Sequence, residues 1–291
     1  MVSEHLFFEG HCPSRIRRSV LREPLPVRQK PAVPPGSERF FSSLFGYVGL
    51  STWAYRKSAL HRRLPACLRF LGAKDVPAAL QKLEDCPDLA TPALSVVLLG
   101  VTAFFRDAPV FDRLREELAT AWPGQKRLRR VWSAASSDGQ ELYSVAMLLD
   151  DLGLLDGCEL LGSDCRDEAV DAARQGVFAA PVANKLSPRW REKYFQKSGE
   201  CLQVNSPLRN RICWKRADLV SEPEPGPWDL ILWRNMAIYL EGPAADRIWK
   251  SLARELAPGG LLMAGKAECP HPGVDLEKIA PCLFRKRFSP S

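Results

Sequence analysis

From about residue 127 onward, short apolar segments alternate with amphipathic ones, and this alternation constrains the fold of the 291-residue chain more than any other feature. The apolar segments predict strands at 128–135, 158–164, 228–233 and 261–265, and the amphipathic segments predict helices at 141–152, 166–174 and 243–256. This pattern is typical of an α/β domain with a mostly parallel sheet. The rhythm breaks at about 185–218, around a turn at Ser198, which predicts a small inserted β-subdomain.

The preceding part of the chain, at 38–118, has helical periodicity. Apolar residues recur at helical spacing between 55 and 70, after a capping Ser51, and Pro65 is expected to kink this helix or divide it. Further helices are predicted at 76–83 and 92–99. A basic face in this segment contains Arg56, Lys57, Arg62, Arg63 and Arg69. These residues alone fit a solvated surface as well as a binding face.

Residues 1–37 have a different composition, with six of the 24 prolines and a basic cluster of Arg15, Arg17 and Arg18. Proline at this density disfavours regular structure, so we predict a flexible arm. The sequence thus divides into an arm at 1–37, an all-helical domain at 38–118 and an α/β domain at 119–291.

Composition narrows the function classes. The longest apolar stretch, at 94–105, has about 12 residues, fewer than the roughly 20 that span a bilayer, and no secretory signal is visible, so we expect a cytoplasmic protein without membrane insertion. The nine cysteines form no CxxC pair, and the four histidines have no HxxxH spacing, so no metal site is expected. The net charge of +7 suits nucleic acid, anionic lipid or an acidic protein.

Small residues follow the first predicted strand, at 133–139. Ligands of doubly wound sheets bind at the carboxyl ends of strands, where small residues let the backbone approach them. Only Gly139 is present, so this loop is not the GxGxxG cradle of a dinucleotide site. Asp164 ends the next strand, where a carboxylate can accept both ribose hydroxyls of an adenosine ligand or can cap a helix.

Three blocks of sequence together resemble the chemotaxis-receptor methyltransferases of the CheR type. The family pattern N-x-T-x-F-F-R-D corresponds to Gly100–Asp107, W-S-A-G-C-S-T-G-E-E-P-Y-S to Trp132–Ser144, and C-R-N-V-x-I-Y-F to Trp233–Leu240. The resemblance extends from about residue 40 to 287. It implies a Rossmann-like methyltransferase sheet and transfer of a methyl group from S-adenosylmethionine to receptor glutamates, with S-adenosylhomocysteine as the product.

The resemblance also implies roles for individual residues. Thr102 and Arg106 would contact the methionine end of the cofactor, and Asp164 its ribose. Tyr239 would lie near the transferred methyl group and, with Arg106, would orient the reactants. The remaining cofactor-binding positions are Ala135, Gly139, Gln140, Asp218, Leu219, Asn235 and Met236. The partner would be an acidic helical region of a receptor, bound by the basic face, and we expect a monomer that binds no nucleic acid.

Several positions depart from the family pattern. The substituted positions are Gly100 for asparagine, Asp138 for threonine, Gln140 for glutamate, Leu142 for proline, Arg166 for aspartate and Asp218 for asparagine. Two hypotheses follow from them: an active protein-glutamate O-methyltransferase, or an inactive relative that serves as a cofactor-sensing or scaffold module. A nucleic-acid methyltransferase is a third hypothesis and rests on charge alone. The short turn at Ser198 further predicts that the inserted subdomain works without a receptor tail peptide.

Overall fold

A computed structural model describes residues 33–98, 100, 102–122, 127–183 and 186–288. The basic cluster of the predicted arm, Arg15, Arg17 and Arg18, lies outside the described residues. The strands are β1 (Arg129–Ala134), β2 (Cys158–Asp164), β3 (Val177–Ala179), β4 (Phe195–Ser198), β5 (Cys201–Val204), β6 (Ile212–Arg216), β7 (Trp228–Trp233), β8 (Leu256–Ala264), β9 (Leu276–Ala280) and β10 (Leu283–Lys286).

The helices precede the main sheet or alternate with its strands. They are α1 (Ser37–Tyr47), α2 (Lys57–Leu71), α3 (Val76–Asp85), α4 (Ala90–Val97), α5 (Ala108–Ala121), α6 (Gln140–Asp151), α7 (Asp167–Gln175), α8 (Ala180–Ala183), α9 (Pro188–Tyr194), α10 (Ser206–Arg209) and α11 (Gly242–Glu255). Within the described part of the chain, no helix is long and apolar enough to cross a membrane.

The main sheet has seven strands in the order β6-β2-β1-β7-β8-β10-β9. The first five are parallel to one another, and β10 and β9 are added in antiparallel pairings. Every residue of β7 is buried, as expected for a central parallel strand covered on both faces. The strand order reverses between β1 and β7, and this switch point is where open α/β sheets bind ligands. The predicted α/β sheet is confirmed.

Helices cover both faces of this sheet. Helices α1–α4 and α11 share a core with the sheet tryptophans Trp132 and Trp233, whereas α5, α6 and the small sheet cover the opposite face. Residues Pro34–Ser291 form one compact unit. The helical segment therefore packs directly on the sheet that carries the site, and the domain boundary at residue 118 stays a prediction.

The second sheet is antiparallel and has three strands in the order β3-β5-β4. It begins at Val177, before the expected start at 185, and ends at Val204. Strand β6 falls within the expected insertion but pairs in parallel with β2 at the edge of the main sheet. The expected insertion therefore extends too far at its C-terminal end, because β6 belongs to the main sheet.

Helix α2 differs from the prediction in two ways. It continues through Pro65 as a single helix, so of the two outcomes expected at this proline, a kink or a division, the division is wrong. Because Pro65 is exposed, water can satisfy the carbonyl that the missing N–H leaves open. The helix begins at Lys57 with Arg56 as its N-cap, so Ser51 does not cap it.

Candidate functional site

A cleft opens at the carboxyl ends of β1, β2 and β7 and encloses about 920 Å³ of space, its open mouth included. Seven predicted cofactor or catalytic residues line it: Thr102, Arg106, Ala135, Asp164, Asn235, Met236 and Tyr239. The predicted residues Gly139, Gln140, Asp218 and Leu219 are not part of its lining. The lining residues that were not predicted as ligands include Tyr55, Glu141, Arg166 and Arg234.

The loop after β1 turns sharply beneath the cleft. Ala135 and Ser137 have left-handed backbones, with φ of 55° and 52°, which costs non-glycine residues energy and is common at functional sites. The turn is held by the Ser136 N–H, which donates to the Ser163 carbonyl at 2.8 Å. The buried Ser136 Oγ has no hydrogen-bond partner among the described residues, and Ser136 lines the cleft. A buried hydroxyl in this state is suited to a bound polar ligand.

Gly139 has a packing role beside this loop. Its φ is 86°, and a Cβ atom there would lie 2.5 Å from the Trp214 ring. The absence of a side chain at Gly139 lets α6 begin close to β6. Gly139 itself does not line the cleft. The neighbouring Gln140 is 4% exposed and points away from the cleft lining, where its Nε2 donates to Asp138 Oδ2 at 3.0 Å. Burial raises the pKa of Asp138, and the hydrogen bond from Gln140 opposes this shift.

At the end of β2, Asp164 is held by its neighbours. The Ser137 N–H donates to its Oδ2 at 2.9 Å, and the Arg166 N–H donates to its Oδ1 at 3.1 Å. The Arg166 guanidinium forms a bidentate ion pair with the same carboxylate, through Nε at 2.9 Å and Nη2 at 3.3 Å. Both side chains are buried, with 5% exposure for Asp164 and 10% for Arg166.

A buried charge cluster lies beside the cleft where β7 ends. Arg234, which follows β7, is 1% exposed in its side chain and forms ion pairs with Asp107 at 2.7 Å and Glu141 at 2.8 Å. Lys266 forms a second ion pair with Asp107. Burial raises the pKa of Glu141, while the charges of Arg234 and Arg106 oppose the shift. Of the two neighbouring motif residues, Glu141 lines the cleft and the predicted Gln140 does not.

The turn that carries Arg106 is anchored on α6. The Phe105 N–H donates to Ser144 Oγ at 3.0 Å, and that hydroxyl donates to the Gln140 carbonyl at 2.7 Å. Phe105 and Asp107 both have left-handed backbones, with φ of 47° and 65°. This turn brings Arg106 to the cleft next to Glu141, so a cation and a carboxylate lie at the same end.

Tyr55 and Tyr239 both line the cleft. Their two segments are joined by a short antiparallel backbone bridge between Tyr55 and Leu240. The Arg56 N–H donates to the Tyr239 carbonyl at 2.9 Å, and the Arg56 Nε donates to the Leu240 carbonyl. Burial raises the pKa of Tyr55 well above its usual range, and the nearby Cys165 and Asp218 act in the same direction. Nothing in the local sequence marks Tyr55 as a site residue, since its position depends on this long-range bridge.

Asp218 and Leu219 lie behind the lining. Asp218 caps its own turn, because Oδ1 accepts from the Val220 N–H at 3.0 Å and Oδ2 accepts from the Ser221 hydroxyl at 2.7 Å. Leu219 is buried in the core. Asn235 has a left-handed backbone, with φ of 59°, and its N–H donates to Glu268 at 2.8 Å, which holds the 235–236 turn toward the cleft.

The predicted basic face is divided by the structure. Arg56 is tied to the Leu240 carbonyl, and Lys57 forms an exposed ion pair with Glu38 at 2.7 Å. Arg63 donates to the Val96 carbonyl and lines the cleft. Arg62 and Arg69 are exposed.

Residues 100–278 match the family described as CheR methyltransferase, SAM binding domain. The chemotaxis protein methyltransferase of Klebsiella aerogenes is 32% identical over 240 residues, which cover 79% of this chain and 81% of that protein. The corresponding protein of Escherichia coli is 30% identical over 240 residues, covering 79% of this chain and 82% of its own. On this evidence the chain belongs to the CheR family and is an S-adenosylmethionine-dependent methyltransferase.

Proposed function

We propose that this chain transfers the methyl group of S-adenosylmethionine to glutamate side chains of chemotaxis receptors. The observation that carries the proposal is the cleft at the switch point of a CheR-family sheet, which is lined by charged groups on both sides of β1. Asp164 ends β2 on one side, and Glu141 pairs with Arg234, which follows β7 on the other side. This distribution matches a ligand with an amino-acid group at one end and a ribose at the other.

The residues present fit this cofactor. Arg106 suits the carboxylate of the methionine part, and Glu141 suits its ammonium group, because charge-assisted hydrogen bonds are stronger than neutral ones. Thr102 adds a hydroxyl on the same side. The loop at 135–137 approaches the ligand closely and offers the Ser136 hydroxyl, which has no partner within the described structure.

Asp164 is the ribose acceptor in this proposal, and Asn235 and Met236 line the cleft after β7. Gly139, Gln140, Asp218 and Leu219 then act from behind the lining, by fixing the loops that the cofactor touches.

The reaction needs no general base. When bound, the cofactor supplies a methyl group on a sulfonium sulfur, and an ionised glutamate is already a nucleophile. The protein contributes alignment and exclusion of water, which together can lower the barrier by about 7–11 kcal/mol. In this proposal Tyr239 orients the substrate carboxylate at the mouth of the cleft, and Arg106 fixes the cofactor from the inner end.

The substrate side is proposed to be an acidic helical region of a receptor. Arg62 and Arg69 are exposed on α2, and Arg63 extends from the same helix to the cleft. Positive charge that leads to the site would steer an acidic segment toward Tyr239. The chain is proposed to act as a monomer, without nucleic acid and without a receptor tail peptide on the small sheet.

Transfer of labelled methyl groups to a membrane fraction that carries receptors tests the activity. We expect label on receptor glutamates, recoverable as methanol after mild base, and none with Arg106→Ala. Arg113→Ala, on an exposed part of α5, serves as the matched control. Label on DNA or RNA but not on receptors would contradict the proposal. Calorimetry with S-adenosylhomocysteine is a further test, since an absence of binding at millimolar ligand would contradict the proposed enzyme.

A further inference from the structure

Four donors already occupy the carboxylate of Asp164. Two are backbone N–H groups, of Ser137 and Arg166, and two are the Nε and Nη2 of the Arg166 side chain. An ionised carboxylate has about four lone-pair sites. The backbone donors hold the loop and the strand end, so the guanidinium occupies the two sites that would otherwise accept a pair of ribose hydroxyls.

The surroundings of Arg166 are shaped to hold it in this position. Its Nη1 donates to the Leu98 carbonyl at 2.9 Å, just after α4. A Cβ atom on Gly100 would lie 2.7 Å from Nη2 and 2.0 Å from Ser137 Oγ, so both side chains would have to move to admit a side chain there. Gly100 and Arg166 both depart from the family pattern, and the structure shows that the two residues fit against each other.

We infer that Arg166 is an affinity-setting residue that competes with the cofactor ribose for Asp164. Cofactor binding then requires the guanidinium to leave the carboxylate. The free energy needed to separate this ion pair weakens the observed affinity for the cofactor. Because Arg166 also donates to the Leu98 carbonyl, its movement away from Asp164 breaks that hydrogen bond as well. The inference rests on the proposed function, since it assumes an adenosine ligand in this cleft.

The test is calorimetry of the full chain with S-adenosylhomocysteine. Arg166→Ala is expected to lower the Kd by about tenfold. Without the arginine, no protein is held in the state in which Asp164 is paired, so a larger fraction can bind the ligand. A merely structural arginine would instead weaken binding when removed. Arg174→Ala, exposed in the last turn of α7, the helix that Arg166 precedes, is the matched control and should leave the Kd unchanged.

A ligand comparison adds a readout that depends on the ribose. The 2′-deoxy analogue of S-adenosylhomocysteine lacks one of the two hydroxyls, so Arg166→Ala should improve its Kd less than that of the parent ligand. Asp164→Asn should weaken parent binding more in the Arg166→Ala background than in the unaltered chain.

An unchanged or higher Kd in a folded Arg166→Ala variant would overturn the inference and leave the proposed function intact. An absence of binding in both proteins would overturn both. If Arg166→Ala does not fold, NMR of the unaltered chain decides: the Arg166 Nε–H signal is expected to shift with S-adenosylhomocysteine but not with methionine. A signal that neither ligand moves would overturn the inference.

Discussion

Replacing Arg234 with methionine tests the buried charge cluster. The variant Arg234→Met keeps most of the side-chain volume but removes both ion pairs and the hydrogen bond from Nε to the Ala264 carbonyl at 3.2 Å. Asp107 retains Lys266, whereas Glu141, 13% exposed, loses its direct partner. Removal of one member of a buried pair costs about 3–5 kcal/mol of unfolding free energy, which lowers Tm by roughly 10 °C.

The loss should depend on pH through Glu141. Burial raises its pKa above the ordinary 4.5 even with Arg234 present, and the pKa rises further without the arginine. A carboxyl whose pKa is higher in the folded state binds protons more tightly there, so its contribution to stability falls as pH rises above 4.5. The destabilisation by Arg234→Met is therefore expected to be larger at pH 7 than at pH 5.

Urea unfolding of the chain without ligand, followed by tryptophan fluorescence at both pH values, measures this effect. Adding Glu141→Gln to Arg234→Met should restore stability at pH 7, because the neutral amide needs no cation. Arg254→Met, on the exposed end of α11, is the control. A loss below about 1 kcal/mol, the range of exposed pairs, would refute the reasoning. A larger loss that neither pH nor Glu141→Gln changes would refute the role of Glu141.

Three further predictions concern the cleft. Gly100→Ala should cost about 2 kcal/mol in urea unfolding, because its Cβ would overlap Ser137 and Arg166, whereas Gly157→Ala, with open space around it, should be nearly neutral. Arg106→Ala should raise the Kd of S-adenosylhomocysteine by at least about tenfold in calorimetry, since a hydrogen bond to a charged group contributes about 1.5–3 kcal/mol; an unchanged Kd would remove Arg106 from the site. Tyr239→Phe should lower kcat in the methyl-transfer assay and leave the cofactor Kd unchanged, and a weaker Kd with normal kcat would assign this tyrosine to the cofactor instead.

The elements of the main sheet could be predicted because their signals are local. The strands at 158–164 and 228–233 have the predicted bounds, and helix α6 begins one residue before its prediction. Central parallel strands are buried on both faces, so they appear as continuous apolar runs that end at polar residues. The sequence left open whether Pro65 divides α2, because the exposure of that residue depends on how the helix packs.

Residue-level assignments in the cleft were less predictable. Successive helix residues point about 100° apart, so one position decides whether Gln140 or Glu141 faces the cleft. The motif favoured Gln140, and the packing of α6 on the sheet turned Glu141 to the opening instead.

The sequence by itself determined the alternating α/β architecture, the CheR motifs and the clustering of their residues at strand ends, because each is encoded within one short segment. Only the tertiary structure decided what Asp164 is bonded to. Arg166 joins that carboxylate to the Leu98 carbonyl, 68 positions earlier in the chain, and needs the space that Gly100 leaves. Such a contact depends on how α4 packs beside α7, so no local pattern could have revealed it.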